Sequence, residues 1–317
     1  MNKSIKPLQN TSILPWESST TIEAAEPRLP GVSIVMPVYN AGTFIEKTIR
    51  SLMLNDLSGC EVILMDGGST DDTVSIANHY KKLFTKIVSE RDEGQSDAIN
   101  KGFAISTKPI LYWLNGDDII LPNTLVKVRR EFASRSNADI VVGNAYMTEL
   151  DFSPIRHFKF PPECLRFEYL LNYAQNHLVQ PSVFFSQRAW KACGPVKKDL
   201  HYAMDADLFI GMSRKFEMIS MDLDIAYSVY HEECKTRGKR AESIVELAMV
   251  QAAHGGMTEC KNTLNVLVSE FNELKKRFDS NEYSGAAIEI LNSRIAAMER
   301  DWKKNIELAM RAKILEE

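Results

Sequence analysis

Two adjacent carboxylates, Asp117 and Asp118, follow an apolar run over residues 110–114 that has the character of a buried strand. Acids in this place lie at a strand's carboxyl end, where open α/β sheets bind their ligands. Carboxylate oxygens suit a hard cation such as Mg²⁺ or Mn²⁺, and the cation in turn binds a diphosphate. A solvated turn is the commoner explanation of a lone acidic pair. Metal-assisted chemistry on a nucleotide is therefore predicted only if neighbouring elements complete a site.

The elements around the acidic pair alternate between strand and helix. Apolar runs bounded by turn residues predict strands over residues 32–40, 61–65, 86–89 and 110–114. Helical spacing and capping residues predict helices over residues 43–55, 70–80 and 96–103. This alternation is typical of a parallel nucleotide-binding sheet.

Seven motifs in register are more specific than any one of them. They are PVYN at 37–40, DGGSTD at 66–71, GQSDAINKG at 94–102, WLNGDD at 113–118, QPSVFF at 180–185, MDADL at 204–208 and HEECKT at 231–236. In order and spacing they resemble glycosyltransferase family 2, over roughly residues 31–237. The resemblance implies the GT-A fold, a Rossmann-like mixed sheet flanked by helices. It also implies inverting transfer of a sugar from a nucleotide-sugar, most simply a UDP-sugar, with Mn²⁺ or Mg²⁺.

The resemblance assigns three residues near the first two strands to the nucleotide base. Asp66 is expected to contact the base, because a carboxylate can accept the imide N–H of uracil; helix capping is its alternative role. Pro37 and Tyr39 are expected to line the same pocket, and ordinary aromatic packing is the alternative for Tyr39.

The GQSDAINKG motif carries Ile99 where many relatives carry Arg, which leaves Gln95, Asp97 and Asn100 as the nucleotide-binding candidates in this segment. Lys235, in the late HEECKT motif, is expected to meet phosphate oxygens once its loop closes; a solvated turn is the alternative.

For the metal, the resemblance implies Asp118 as the confident ligand, because Gly116 stands where relatives carry Ser or Asp. Asp117 is expected against the donor's ribose or sugar. A late histidine helps to hold the metal or diphosphate in GT-A relatives, so His231 is the second candidate ligand, with a purely structural histidine as the alternative.

Asp205 corresponds to the family's catalytic base, although Met204 stands where relatives often have Glu. One carboxylate near the acceptor hydroxyl suffices for a single in-line displacement. Helix capping is the alternative for Asp205. Asp207 is expected to cap or pair nearby, and Gln180 is expected on the acceptor side.

Composition excludes several other classes of protein. The 317-residue chain has a formal net charge of −4, which does not favour nucleic acid as a partner. Its five cysteines are odd in number and lack Cys-x-x-Cys spacing, which argues against a disulfide framework and a zinc site and fits a reduced cytosol. No signal peptide or membrane span is predicted. We therefore expect a cytoplasmic protein. Binding of a lipid-linked acceptor could bring it to the inner face of the membrane.

Three regions are expected: an irregular arm over 1–30, a GT-A catalytic domain over 31–240 and a helical region over 241–317. The last has a short helix over 241–253, a break at Gly255 and Gly256, and two apolar stripes beginning at Leu264 and Leu291 that predict a helical hairpin. The stripes are expected to pack on each other or on the catalytic domain. Homodimerisation and membrane docking are the alternatives.

The predicted activity is sugar transfer to a glycan or lipid-linked acceptor in cell-surface polysaccharide assembly. A sugar nucleotidyltransferase is the enzymatic alternative, but it would need a glycine-rich, basic triphosphate loop near the first strand, which residues 40–42 do not form. The other alternative is a nucleotide-sugar-binding or scaffold protein without turnover, against which the presence of both Asp118 and Asp205 counts.

Overall fold

The computed structural model describes residue 17 and residues 19–135, 137–231, 234 and 239–279. Strands and helices alternate at its start as predicted. The strands are β1 (Val32–Val38), β2 (Glu61–Asp66), β3 (Lys86–Ser89) and β4 (Ile110–Trp113), and the helices are α1 (Ile45–Leu52), α2 (Thr73–His79) and α3 (Gln95–Ala104). The four strands pair in parallel in the order β3, β2, β1, β4. Every residue of β1, β2 and β4 is buried, which explains their continuous apolar sequences.

The rest of the sheet mixes directions. The following strands are β5 (Ile119–Ile120), β6 (Ile140–Thr148), β7 (Pro154–Phe158), β8 (Val183–Ser186) and β9 (Met218–Val229). The helices between them are α4 (Thr124–Ser134), α5 (Phe167–Leu171), α6 (Tyr173–Asn176), α7 (Gln187–Cys193) and α8 (Met204–Lys215), with short 3₁₀ turns at Pro162–Leu165 and Gln180–Ser182. β8 runs antiparallel to β4 and β6, while β9 runs parallel to β6 and antiparallel to β5. The predicted mixed sheet flanked by helices is confirmed.

Aromatic packing and one close backbone approach fix the elements beneath the acidic pair. The rings of Tyr112 on β4 and Phe184 on β8 stack with their centroids 3.9 Å apart. A Cβ atom at Gly102 would lie 2.3 Å from Val35 Cγ1, so only glycine at this position allows α3 to pack this close to β1. The last turn of α3 is thereby held against β1, and Gln95 in its first turn donates to Asn115, just after β4, at 2.8 Å.

Two further helices follow the sheet, α9 (Arg240–Ala253) and α10 (Met257–Asp279), separated as predicted at Gly255 and Gly256. The fully buried Gln251 joins them to the sheet domain: its Nε2 donates to the Leu171 carbonyl at 3.0 Å, and its Oε1 accepts from the Thr263 hydroxyl at 2.7 Å. Val250 belongs to the main core. Helix α9 therefore packs on the sheet domain, and α10 packs on α9. The predicted second stripe, from Leu291, lies outside the described residues, and none of the helices described could span a membrane.

The N-terminal arm is irregular at residues 17 and 19–30, where it is described. It lies against the sheet domain through charged contacts. Arg130 on α4 pairs with Glu23 at 2.5 Å and Glu26 at 2.6 Å, and the Ala25 N–H donates to Asp56 at 2.6 Å. This part of the arm is consequently attached to the domain.

Candidate active site

A cleft of about 930 Å³ opens at the carboxyl ends of β1, β2 and β4. This is the edge at which open α/β sheets bind ligands. Seven of the predicted site residues line it together with Gln180: Pro37, Tyr39, Gln95, Asp117, Asp118, Asp205 and His231. Candidate residues more than 160 positions apart in the sequence thus meet in one cavity.

The wall of the cleft beside β1 and β2 consists of an aromatic ring and of main chain at two glycines. Tyr39 is 65% exposed, and Pro37 precedes it at the end of β1. Gly67 and Gly68 continue this wall. A flat base can therefore approach the main chain here, as the resemblance implied for Pro37 and Tyr39.

Asp66 lies behind this wall rather than on it. It is 2% exposed, and its carboxylate accepts the Ser69 N–H at 3.2 Å, the Ser69 hydroxyl, and the Ser89 hydroxyl at 2.6 Å. Asp66 thus secures the turn after β2, a contact close to the capping alternative. Its role in base recognition stays a prediction, although its oxygens are already occupied in this structure.

Sequence reasoning missed a carboxylate that does face the cleft here. Asp92 lines the cavity, and its Oδ1 accepts the Gly94 N–H at 2.8 Å. A Cβ atom at Gly67 would lie only 2.9 Å from Asp92 Oδ2. The glycine at 67 makes room for the carboxylate of Asp92, a relation between distant positions that no motif in the sequence indicates.

The three candidates on α3 have different environments. Gln95 lines the cleft and donates to Asn115 Oδ1 at 2.8 Å. Asp97 is buried between two lysines, with Lys198 Nζ at 2.6 Å and Lys101 Nζ at 3.1 Å. The hydrogen bond from Lys198, followed by that from Lys101, lowers the pKa of Asp97 to about 2.

Asn100 exchanges two hydrogen bonds with the backbone of Val196, at 2.8 and 3.0 Å. Asp97 and Asn100 therefore fasten the loop before α8 to α3, away from the cavity wall. Their expected contact with the nucleotide has no support from this arrangement and stays a prediction. Lys235 lies outside the described residues.

The acidic pair divides into a buried and an accessible member. Asp118 is 4% exposed; it accepts from Asn115 Nδ2 at 2.9 Å and from the Ser228 hydroxyl and the Val229 N–H. Burial, followed by the charge of Asp117, raises the pKa of Asp118 well above its usual range. The side chain of Asp117 is 32% exposed, and its Oδ2 lies 3.0 Å from His231 Nε2.

Asp117, His231 and Cys234 offer a metal-ligating set. One ligand atom from each lies within 4.8 Å of the others. His231 is buried and stacked on Phe44 with centroids 4.1 Å apart, and among the described residues its Nδ1 has no hydrogen-bond partner. Carboxylate and imidazole suit Mn²⁺, while the thiol also suits softer metals. The residues present thus fit a divalent cation, and this geometry favours Asp117 over Asp118 as its ligand.

Asp205 lies in the first turn of α8, where its Oδ1 accepts the Ala206 N–H at 2.8 Å and its carboxylate accepts the Tyr173 hydroxyl. Burial raises the pKa of Asp205 to about 6, and the charge of Glu246 adds to the rise against the opposing hydrogen bonds. A carboxylate with this pKa is ionised at neutral pH and basic enough to take a proton.

Asp207, two residues further along α8, faces away from the cleft. It pairs with Lys197 Nζ at 2.9 Å and His254 Nε2 at 3.0 Å. Asp207 is consequently a pairing residue, as expected. His201 and Tyr202, which sequence reasoning did not select, line the cavity next to Asp205.

Comparison with known proteins agrees with this geometry. The family model described as "Glycosyl transferase family 2" matches residues 33–192, about half of the chain. The fold and cleft are those of the GT-A class. The chain belongs to glycosyl transferase family 2.

Curated relatives match over less than half of the chain. A "PGL/p-HBAD biosynthesis glycosyltransferase" from Mycobacterium bovis is 31% identical over 127 residues, covering 39% of this chain and 50% of the relative. An "Uncharacterized glycosyltransferase EpsJ" from Bacillus subtilis is 31% identical over 137 residues, covering 43% of this chain and 38% of the relative. The chain thus spans half or less of these relatives.

Solved structures share the fold over a longer stretch. S. aureus TarS 1-349 in complex with UDP superimposes with a TM-score of 0.55 at 19% identity, covering 71% of this chain and 65% of that chain. A mannosyltransferase from Pyrobaculum calidifontis, in complex with GDP-Man and Mn²⁺, gives a TM-score of 0.54 at 14% identity, covering 93% and 88%. The likeness shows the GT-A fold.

Proposed function

We propose that this protein is an inverting glycosyltransferase that moves a sugar from a nucleotide-sugar, most simply a UDP-sugar, to a glycan or lipid-linked acceptor. One observation carries the proposal: a metal-ligating pair, Asp117 and His231, and a carboxylate with the pKa of a base, Asp205, line the same cleft. Family membership and the nucleotide complexes of the structural neighbours support it.

On the donor side, the base would lie against Tyr39, Gly67 and Gly68, with its imide N–H directed at Asp92. An ionised carboxylate only accepts hydrogen bonds, so Asp92 would select uracil, which has an N3–H, over cytosine, which has none. The backbone at Gly67 leaves the space that this carboxylate occupies.

Asp117 and His231 would hold Mn²⁺ or Mg²⁺, with Cys234 beside them and the expected role of Asp118 as a ligand still to be tested. A bound divalent cation neutralises charge on the departing nucleotide diphosphate. Asp118, fixed by Asn115, Ser228 and Val229, would support the loop that presents Asp117.

Asp205 would take the proton of the acceptor hydroxyl as the oxygen attacks the anomeric carbon. The bond from that carbon to the diphosphate oxygen breaks on the opposite face, so the configuration inverts. His201 and Tyr202 would flank the acceptor. We place this reaction at the cytoplasmic side of the membrane, where nucleotide-sugars are available to a lipid-linked or glycan acceptor.

A donor panel tests the proposal. UDP-, CDP-, GDP- and dTDP-sugars are compared by thermal shift with and without Mn²⁺, and release of the nucleotide is then followed for each donor that binds. A ligand at a hundred times its Kd stabilises the fold by about 2.7 kcal/mol. We expect a metal-dependent shift with a UDP-sugar and its slow turnover. Binding without turnover in the presence of glycan and lipid-linked acceptors would instead indicate a binding protein, and no shift with any donor would refute the proposal.

A further inference from the structure

The carboxylate of Glu246, in the middle of α9, binds three consecutive backbone N–H groups of another segment. Its Oε1 accepts from His201 at 2.5 Å, and its Oε2 accepts from Tyr202 at 2.5 Å and Ala203 at 3.0 Å. One carboxylate thus makes three side chain–backbone hydrogen bonds to a segment more than 40 positions away in the sequence. The arrangement therefore calls for a physical reason.

The reason lies in the position of the bound segment, which leads directly into α8. α8 begins at Met204, and its N-cap residue is Ala203, whose side chain makes no capping hydrogen bond. The first N–H groups of a helix have no partner within it, and a negative charge is favourable there. Glu246 accepts the N–H of the N-cap residue Ala203 and of the two residues before it, and its negative charge lies near the N-terminus of α8.

The segment that Glu246 binds also forms part of the wall of the active site. His201, Tyr202, Met204 and Asp205 all line the cleft. Fixing the backbone of residues 201–203 sets the starting direction of α8 and hence the position of the Asp205 carboxylate. α9 lies beyond residue 192, where the family match ends.

We infer that Glu246 is a positioning residue for sugar transfer: from α9 it holds the loop before α8 so that Asp205 faces the acceptor. The inference rests on the proposed role of Asp205 as the base. It makes the helix α9 part of the catalytic unit rather than an appendage to it.

The charge of Glu246 has a second effect on the same site. Burial is the main cause of the raised pKa of Asp205, and the Glu246 carboxylate raises it further. Tyr173 on α6 donates to Asp205 and opposes the rise. On α8 itself, the charge of Asp207 is paired with Lys197 and His254. Loss of the Glu246 charge should therefore move the titration of Asp205 to lower pH.

The experiment compares Glu246→Gln and Glu246→Ala with Glu242→Gln and Glu242→Ala in the full chain. Glu242 is the matched control, because it lies one turn earlier on α9, is exposed, and pairs with Lys239 at 3.3 Å. The measurements are the pH profile of donor turnover, hydrogen exchange of the amides of residues 201–203, and the carboxyl titration of Asp205 by NMR, assigned with Asp205→Asn.

For Glu246→Gln we expect a lower pH for the acid limb of kcat and for the Asp205 titration, since the charge is removed while the amide oxygen can still accept part of the N–H groups. For Glu246→Ala we expect faster exchange at residues 201–203 and a kcat lowered roughly ten- to hundredfold, because misplaced groups lose rate steeply. The donor KM should stay unchanged in both variants, and the Glu242 variants should behave as wild type.

An unchanged Asp205 titration in Glu246→Gln, together with unchanged amide exchange in Glu246→Ala, would overturn the inference. If Glu246→Ala does not fold, Glu246→Gln decides alone through the titration. If the wild type turns over none of the donors, the proposed function fails, while exchange and titration still decide whether Glu246 positions the loop.

Discussion

Replacing Asp205 by Asn should stabilise the fold at alkaline pH. The pKa of Asp205 is raised to about 6 from its usual 3.8, so ionising this carboxylate costs folding free energy. A rise of about two units corresponds to at most about 3 kcal/mol above pH 6. Because the side chain borders an open cleft, we expect about 1 to 2 kcal/mol.

The sign follows from linkage. Well below its usual pKa of 3.8, Asp205 is protonated in both the folded and unfolded states, and Asn should then match wild type. As pH rises through 6, the folded wild type must ionise a carboxylate in an unfavourable place, while Asn stays neutral. The advantage of Asp205→Asn should therefore appear between pH 4 and 6 and be complete by pH 8.

Asp207→Asn is the matched control with the opposite sign. Burial raises the pKa of Asp207, but the hydrogen bonds from His254 and Lys197 outweigh burial and leave it below its usual value. This variant should lose stability at pH 8, and the loss should fade as pH falls. Thermal unfolding from pH 4 to 8 measures both, at about 1.5 °C per kcal/mol for a chain of this size. Equal destabilisation by the two substitutions at pH 8 would refute the assigned environment of Asp205.

Three further predictions test the donor side and the packing. Asp117→Ala should weaken Mn²⁺-dependent binding of UDP at least tenfold by calorimetry, because it removes the accessible carboxylate among the proposed metal ligands. If Asp117→Ala binds UDP with unchanged affinity and Asp118→Ala loses affinity, Asp118 rather than Asp117 is the metal ligand. Asp92→Asn should narrow the preference for UDP over CDP, since an amide can either donate to or accept from the base, and an unaltered ratio of the two affinities would remove Asp92 from base recognition. Gly102→Ala should destabilise by about 1–3 kcal/mol in denaturant unfolding, because its Cβ would lie 2.3 Å from Val35 Cγ1, whereas Gly211→Ala in α8, with its nearest contact at 3.5 Å, should be neutral or stabilising.

The local pattern predicted the elements that carry the cleft. The strand expected over 86–89 is β3, and the helix expected over 96–103 is α3 with one residue added at each end. These segments could be predicted from the sequence because their apolar spacing and bounding turn residues are local properties. The parallel pairing of β6 with β9, and the placement of β8 between β4 and β6, depend on contacts between distant segments. No local signal in one sequence specifies them.

The sequence predicted those site residues that belong to a motif and line the cavity. It did not predict residues whose place in the site depends on contacts between distant segments. Asp205, His231 and Gln95 line the cleft as the motifs suggested. Asp66 accepts hydrogen bonds from two serine hydroxyls and is buried. The next residue, Gly67, leaves room for the carboxylate of Asp92, and only the fold brings Asp92 close to Gly67. Glu246 had no motif at all, because its partners are backbone N–H groups, which every sequence contains.

The central claim is that this cleft transfers a sugar from a nucleotide-sugar with Asp205 as the base. Its most direct test is the rate of UDP release from the donor that binds, measured for wild type and Asp205→Asn with Mn²⁺ and an acceptor. We predict the same donor KM and a kcat lower by about 10² to 10⁴ in the variant. A variant that turns over within a few-fold of wild type would contradict it.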